Sequence, residues 1–137
     1  MGCDIHTILA VERKPAGRER GYHDEVGRKV LNARDYVLFS ILAGVRNREE
    51  WHIDPIAEPR GLPAGYIYDE DKEYFLGDHS FSWLSPNELR MAADQYGRHE
   101  QSWQPDKKRK AIIAIADYLE ACAEEGDTPR FVFGFDS

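Results

Sequence analysis

Asp4 and His6 stand two residues apart in a stretch of alternating polarity, so on a strand their side chains point to one face. A carboxylate and an imidazole so placed suit a divalent metal, or a histidine oriented for proton transfer. They equally suit the polar rim of a sheet. A second group follows in Gly77-Asp78-His79-Ser80-Phe81-Ser82-Trp83, where an imidazole and two hydroxyls precede a capped helix. Donors at a helix N-terminus favour an anion, so His79, Ser80 and Ser82 are candidate phosphate contacts. The plainer alternative is serines that cap turns around a core tryptophan.

Guanidinium groups form the third set. Arg46-Asn47-Arg48 follows a buried-looking helix, and Arg60 lies in Pro59-Arg60-Gly61-Leu62-Pro63. Prolines and a glycine give that loop a defined shape, and a planar guanidinium fork matches phosphate or carboxylate. A surface ion pair would explain either arginine as well. Asp136 closes the far end of the chain. If the two terminal strands pair antiparallel, Asp136 comes beside Asp4, with His6 a step inward. Asp4, His6, His79 and Asp136 would then be the donors for a divalent metal. Trp51, Trp103, Tyr66 and Tyr68 can stack on a base or fill a core. Cys3 reads as a small buried hydrophobe, Cys122 as core or rim. His23, His52 and His99 have no local partner pattern. The chain has no phosphate-binding glycine loop, no nucleophile elbow and no paired Cys-x-x-Cys spacing.

The elements that must hold these groups follow from periodicity. Residues 3–11 alternate, with Cys3, Ile5, Thr7, Leu9 and Val11 on one face, which predicts a strand. Residues 13–28 carry charge, Pro15, Gly17, Gly21 and Gly27, and read as a long loop or hairpin. Asn32 is placed to cap a helix over 33–43 that Gly44 stops, and its run of apolar residues predicts burial all round. Residues 45–65 are irregular, and so long a loop often carries function. Residues 66–75 read as an acidic strand or hairpin.

Ser85, Pro86 and Glu88 make a capping box for a helix ending near Gly97. Pro105 opens a longer helix with Ile112, Ile115, Leu119 and Ala123 as its apolar stripe and Gly126 beyond its end. The tail alternates aromatics at 131, 133 and 135 and predicts a strand. The order gives an α+β domain, mainly antiparallel, with N- and C-terminal strands and about three helices.

At 137 residues the chain fits a single domain over 1–137, and 42% hydrophobic residues suffice for a core. The net charge of −7 argues against bulk nucleic acid, whose affinity rests on phosphate contacts, while leaving a small phosphorylated ligand open. Two cysteines point to a reducing cytoplasm over a disulfide framework. No apolar run approaches the roughly 18 residues of a membrane span. The opening Met1-Gly2 lacks the Ser or Thr that acylation wants at position 6, and no signal peptide is expected.

Five stretches spread along the chain carry a resemblance: Met1-Gly2-Cys3-Asp4-Ile5-His6, the run from Leu38 through Ala43-Gly44-Val45-Arg46-Asn47, Pro59-Arg60-Gly61-Leu62-Pro63, His79-Ser80-Phe81-Ser82-Trp83-Leu84 and the Phe-Asp ending. Together they resemble a family of small uncharacterised tailed-bacteriophage proteins. The resemblance implies a phage accessory protein in the bacterial host cytoplasm, and by analogy with such proteins it favours a nucleotide-like ligand drawn from host defence. It assigns no catalytic residue.

Three functions fit these observations. The first is a binder of a small phosphorylated or nucleotide-like molecule through Arg46, Arg60, His79, Ser80, Ser82 and His6, as a monomer or a homo-oligomer. The second is a metal-assisted hydrolase of such a ligand, using Asp4, His6, His79 and Asp136. The third is a protein-binding inhibitor of a host enzyme that needs no pocket.

Overall fold

The computed structural model describes residues 2–13, 22–24, 31, 34–64, 66 and 76–137. Its element order is β1 (Asp4–Glu12), β2 (Tyr22–Asp24), α1 (Tyr36–Ala43), a 3-10 turn (Glu49–Trp51), β3 (His79–Leu84), α2 (Pro86–Arg98), α3 (Pro105–Cys122) and β4 (Thr128–Asp136). The strands form one antiparallel sheet in the order β2-β1-β4-β3, which makes this an α+β fold. The strands nearest the two termini lie at its centre and pair along their whole lengths, from Asp4 opposite Asp136 to Glu12 opposite Thr128.

Alternation along β1 and β4 divides the apolar residues between two faces. Cys3, Ile5, Leu9 and Val11 join Phe131, Phe133 and Phe135 against the helices in the main core. Ile8, Ala10 and Val132 face the other way, under Leu76, with Leu62, Tyr66, Phe81 and Trp83 packed against them. Chain crosses this second face at Gly134, where a Cβ would lie 2.1 Å from the Leu76 carbonyl oxygen. Only a residue without a side chain fits there.

In α1 every residue from Val37 to Ala43 is buried, as its apolar run predicts. Its cap is Asp35, which accepts from the Leu38 amide at 3.2 Å; Asn32, the expected cap, lies outside the described residues. Asp35 wins because the helix starts at Tyr36, within reach of a short carboxylate. Gly44 takes the left-handed conformation (φ 75°) and its N–H donates to the Ser40 carbonyl.

The capping box on α2 forms, with Ser85 and Glu88 bonding each other's backbone N–H at 3.2 and 3.0 Å. Gly97 does not stop that helix but lies in its last turn, where its bare Cα admits the Arg109 side chain of α3. On α3, Ile112, Ala116 and Leu119 are buried and Ile115 only partly so.

Tyr22–Asp24 pairs with the end of β1, which favours the hairpin reading of 13–28. Of the strand expected over 66–75, all but Tyr66 lies outside the described residues. No helix among the described residues is long and apolar enough to cross a membrane.

Candidate functional site

Antiparallel pairing of the terminal strands brings Asp4 opposite Asp136, and His6 joins them: its Nε2 lies 2.5 Å from Asp136 Oδ2. Both side chains are partly buried, 18% and 33% exposed, which strengthens the attraction relative to open water. Asp4 is engaged from outside by Arg34, at 2.8 Å from Nε and 3.3 Å from Nη2. His79 belongs elsewhere. Its ring stacks on Phe135 at 6.2 Å, while its nitrogens meet Ser80 Oγ at 2.9 Å and Ser137 Oγ at 3.0 Å. Phe135 and Asp136 are consecutive in β4 and face opposite ways, so the two histidines stand on different faces of the sheet. The four-donor metal set therefore does not assemble. Among the described residues no group of three or more His, Cys, Asp or Glu is placed to hold an ion.

Arg60 and Ser82 act as local structure. The Arg60 guanidinium forks onto Glu88 at 2.8 and 2.5 Å, donates to the Trp83 carbonyl at 3.1 Å and lies 4.4 Å over the Trp83 ring. Arg60 first, with help from the Ser85 backbone N–H, holds the Glu88 carboxyl down to about 2. Ser82 is buried and accepts from the Arg60 backbone N–H at 3.0 Å. Ser80 sits at the irregularity between β3 and β4 with φ 56°. The proline-flanked loop does hold its arginine in one shape, but against a glutamate of this chain.

Arg46 leads to a different site. Its guanidinium lies 5.4 Å over the Tyr36 ring, and the Tyr36 hydroxyl accepts from the Cys3 backbone N–H at 3.0 Å. Burial pushes the Cys3 thiol up, and nearby Arg46 opposes that shift. Beside Tyr36 opens a cleft of about 410 Å³ lined by Arg34, Asp35, Tyr36, Val37, Arg48, Trp51, Gln101 and Trp103. Trp103 is 66% exposed, unusual for the largest apolar side chain. Arg48 lies 5.2 Å over Trp51, which keeps its fork in place.

The cleft floor is braced from the core. Asp35 Oδ2 takes the buried Tyr96 hydroxyl at 2.5 Å and stands 3.4 Å from Lys108 Nζ, while Oδ1 caps α1. The Tyr96 oxygen in turn accepts from the Trp103 backbone N–H at 3.0 Å. Burial first, then the Asp35 carboxylate, push the Tyr96 hydroxyl well above its usual range, so it keeps its proton. Asp35 is matched to Lys108 and Arg34 to Asp4, and Arg48 adds a further guanidinium to the lining. His99 holds the opposite wall: its Nδ1 accepts from the Gln101 N–H at 3.1 Å and its Nε2 donates to the Trp51 carbonyl at 3.0 Å.

Backbone strain collects at the same place. Four non-glycine residues among those described have left-handed φ, and Arg46 (60°), His52 (54°) and Gln104 (47°) all border the loops around this cleft. Such conformations cost on the order of 1 kcal/mol or more each and cluster at functional sites. Sequence reasoning passed over Arg34, which carries no spacing signal. Trp103 did leave a trace: it is a lone tryptophan in the polar run 98–107, where a core residue has no apolar neighbours to pack with. Among known proteins, no family model, curated protein or solved structure matches this chain.

Proposed function

We propose that this protein binds a small nucleotide-like ligand in the Arg34–Arg48–Trp103 cleft. The observation that carries the reading is an open indole that shares one hollow, large enough for a nucleoside, with two guanidinium groups. Trp103 supplies the stacking surface, Arg34 and Arg48 the phosphate contacts, and Arg46 adds positive charge at the rim. The Asp4–Arg34 pair is exposed on both sides, at 44% and 57%, so a ligand phosphate exchanges for Asp4 at small cost. The resemblance to bacteriophage proteins supports a role in the bacterial cytoplasm as a sink for a nucleotide signal of host defence.

Stacking on one aromatic contributes about 1–3 kcal/mol per base. Calorimetry with mono- and dinucleotides is expected to show binding that Trp103→Ala weakens by about 5- to 150-fold, with an unchanged melting temperature. Equal affinity in the variant removes the reading.

The His6–Asp136 contact, outside the cleft lining, supports a second reading, in which a phosphoester held by Arg34 reaches past Asp4 to His6 and is hydrolysed. A carboxylate-oriented imidazole suits taking a proton from an attacking water or giving one to the leaving oxygen of a phosphoester. Chromatography of the ligand after incubation separates the two. Intact ligand means sequestration, whereas cleavage abolished by His6→Ala means catalysis.

A further inference from the structure

The cleft has a neighbour. Across the 3-10 turn lies a second hollow of about 420 Å³, lined by Asn47, Arg48, Glu49, His52, Ile53 and Asp54. Arg48 is the residue that lines both. The two halves differ in chemistry. The first offers indole faces and guanidinium groups, which suit a base and phosphates. The second offers the exposed carboxylates of Glu49 and Asp54 with the exposed His52 imidazole. Carboxylates repel a phosphate but accept from hydroxyls, each with two oxygens and several lone pairs. Asn47 braces this wall: its Nδ2 donates to the Ile53 carbonyl at 3.0 Å and its Oδ1 accepts from the Arg48 N–H at 2.8 Å. The loop is thereby shaped before any ligand arrives, which reduces the ordering cost of binding.

We infer that the ligand is a nucleoside diphosphate bearing a second sugar. Its base and nucleoside ribose lie in the aromatic cleft, its pyrophosphate at Arg48 between the two hollows, and its terminal sugar hydroxyls against Glu49 and Asp54. The inference rests on the nucleotide reading above and adds the ligand class to it. A nucleotide without the second sugar fills only the first hollow. A cyclic dinucleotide would bring a second phosphate close to the carboxylates of Glu49 and Asp54, which repel it.

The test compares ligand pairs that differ only in the added sugar, ADP with ADP-ribose and UDP with UDP-glucose, by calorimetry on the full chain. At least one sugar-bearing ligand is expected to bind 10-fold or more tighter than its parent diphosphate. Asp54→Ala is expected to abolish that gain while leaving the parent diphosphate unchanged. Asp54 is exposed and outside both cores, so the variant should fold as the wild type does, which circular dichroism and the melting temperature verify. Equal affinities within each pair overturn the two-part ligand but leave the cleft reading intact, as does a gain that survives both Asp54→Ala and Glu49→Ala. No binding by any of the four overturns both.

Discussion

Replacing Arg60 with alanine separates a structural arginine from a ligand-binding one. The substitution removes two charge-assisted hydrogen bonds to Glu88, one bond to the Trp83 carbonyl and the guanidinium–indole contact at 4.4 Å. Bonds to charged groups contribute about 1.5–3 kcal/mol and a cation over a ring about 0.5–1. Solvent discounts these sums, because the Arg60 and Glu88 side chains are 28% and 25% exposed. A net loss of about 2 kcal/mol is expected, or about 6–10 °C in melting temperature at this chain length.

The pH dependence carries a definite sign. A carboxylate whose pKa falls on folding, here from 4.5 to about 2, contributes stability above its unfolded value and loses it as the pH drops through the folded one. The gap between wild type and Arg60→Ala should therefore stay constant above about pH 5 and close between pH 4.5 and 2. Urea titrations across that range, with calorimetry for ligand affinity at pH 7, make the comparison. Lower stability with unchanged affinity is expected; lost affinity at unchanged stability would refute the structural role of Arg60 and reopen the proline-flanked loop as the binding element.

Two further substitutions test the frame around the site. Gly134→Ala drives a methyl group to 2.1 Å from the Leu76 carbonyl oxygen and 2.7 Å from the Phe81 ring, so a loss of about 3 kcal/mol or failure to fold is expected. An unchanged urea midpoint would contradict the chain crossing at that point. Tyr96→Phe leaves the Trp103 N–H without its partner and Asp35 Oδ2 with Lys108 alone, and should cost about 1–3 kcal/mol. If the midpoint instead holds steady, the hydroxyl is not what ties the cleft floor to the core.

The two central strands were legible because apolar residues fall on alternate positions, 5, 9 and 11 in β1 and 131, 133 and 135 in β4. Edge strand β3, with its irregular pairing, was not. The α2 cap was legible because a serine, a proline and a glutamate at fixed offsets leave little else to form. The pairing of Asp4 with Asp136 followed from antiparallel terminal strands. What could not be read was tertiary. His79 carries the residue type of an anion site, but its place against Phe135 depends on the face it takes beyond an irregular strand. Arg60 looked available because its partner, Glu88, had already been accounted for by the capping box. The cleft joins residues from 34 to 103, and no local spacing relates them.

The sheet order has a consequence for synthesis. While a ribosome is making the chain, β1 has no central partner until the nine residues it pairs with, Thr128–Asp136, have emerged. Its apolar residues must wait through more than a hundred residues of translation for that partner, and contacts so distant along the chain fold slowly. A deletion of Thr128–Asp136 would take one of the two central strands out of the sheet.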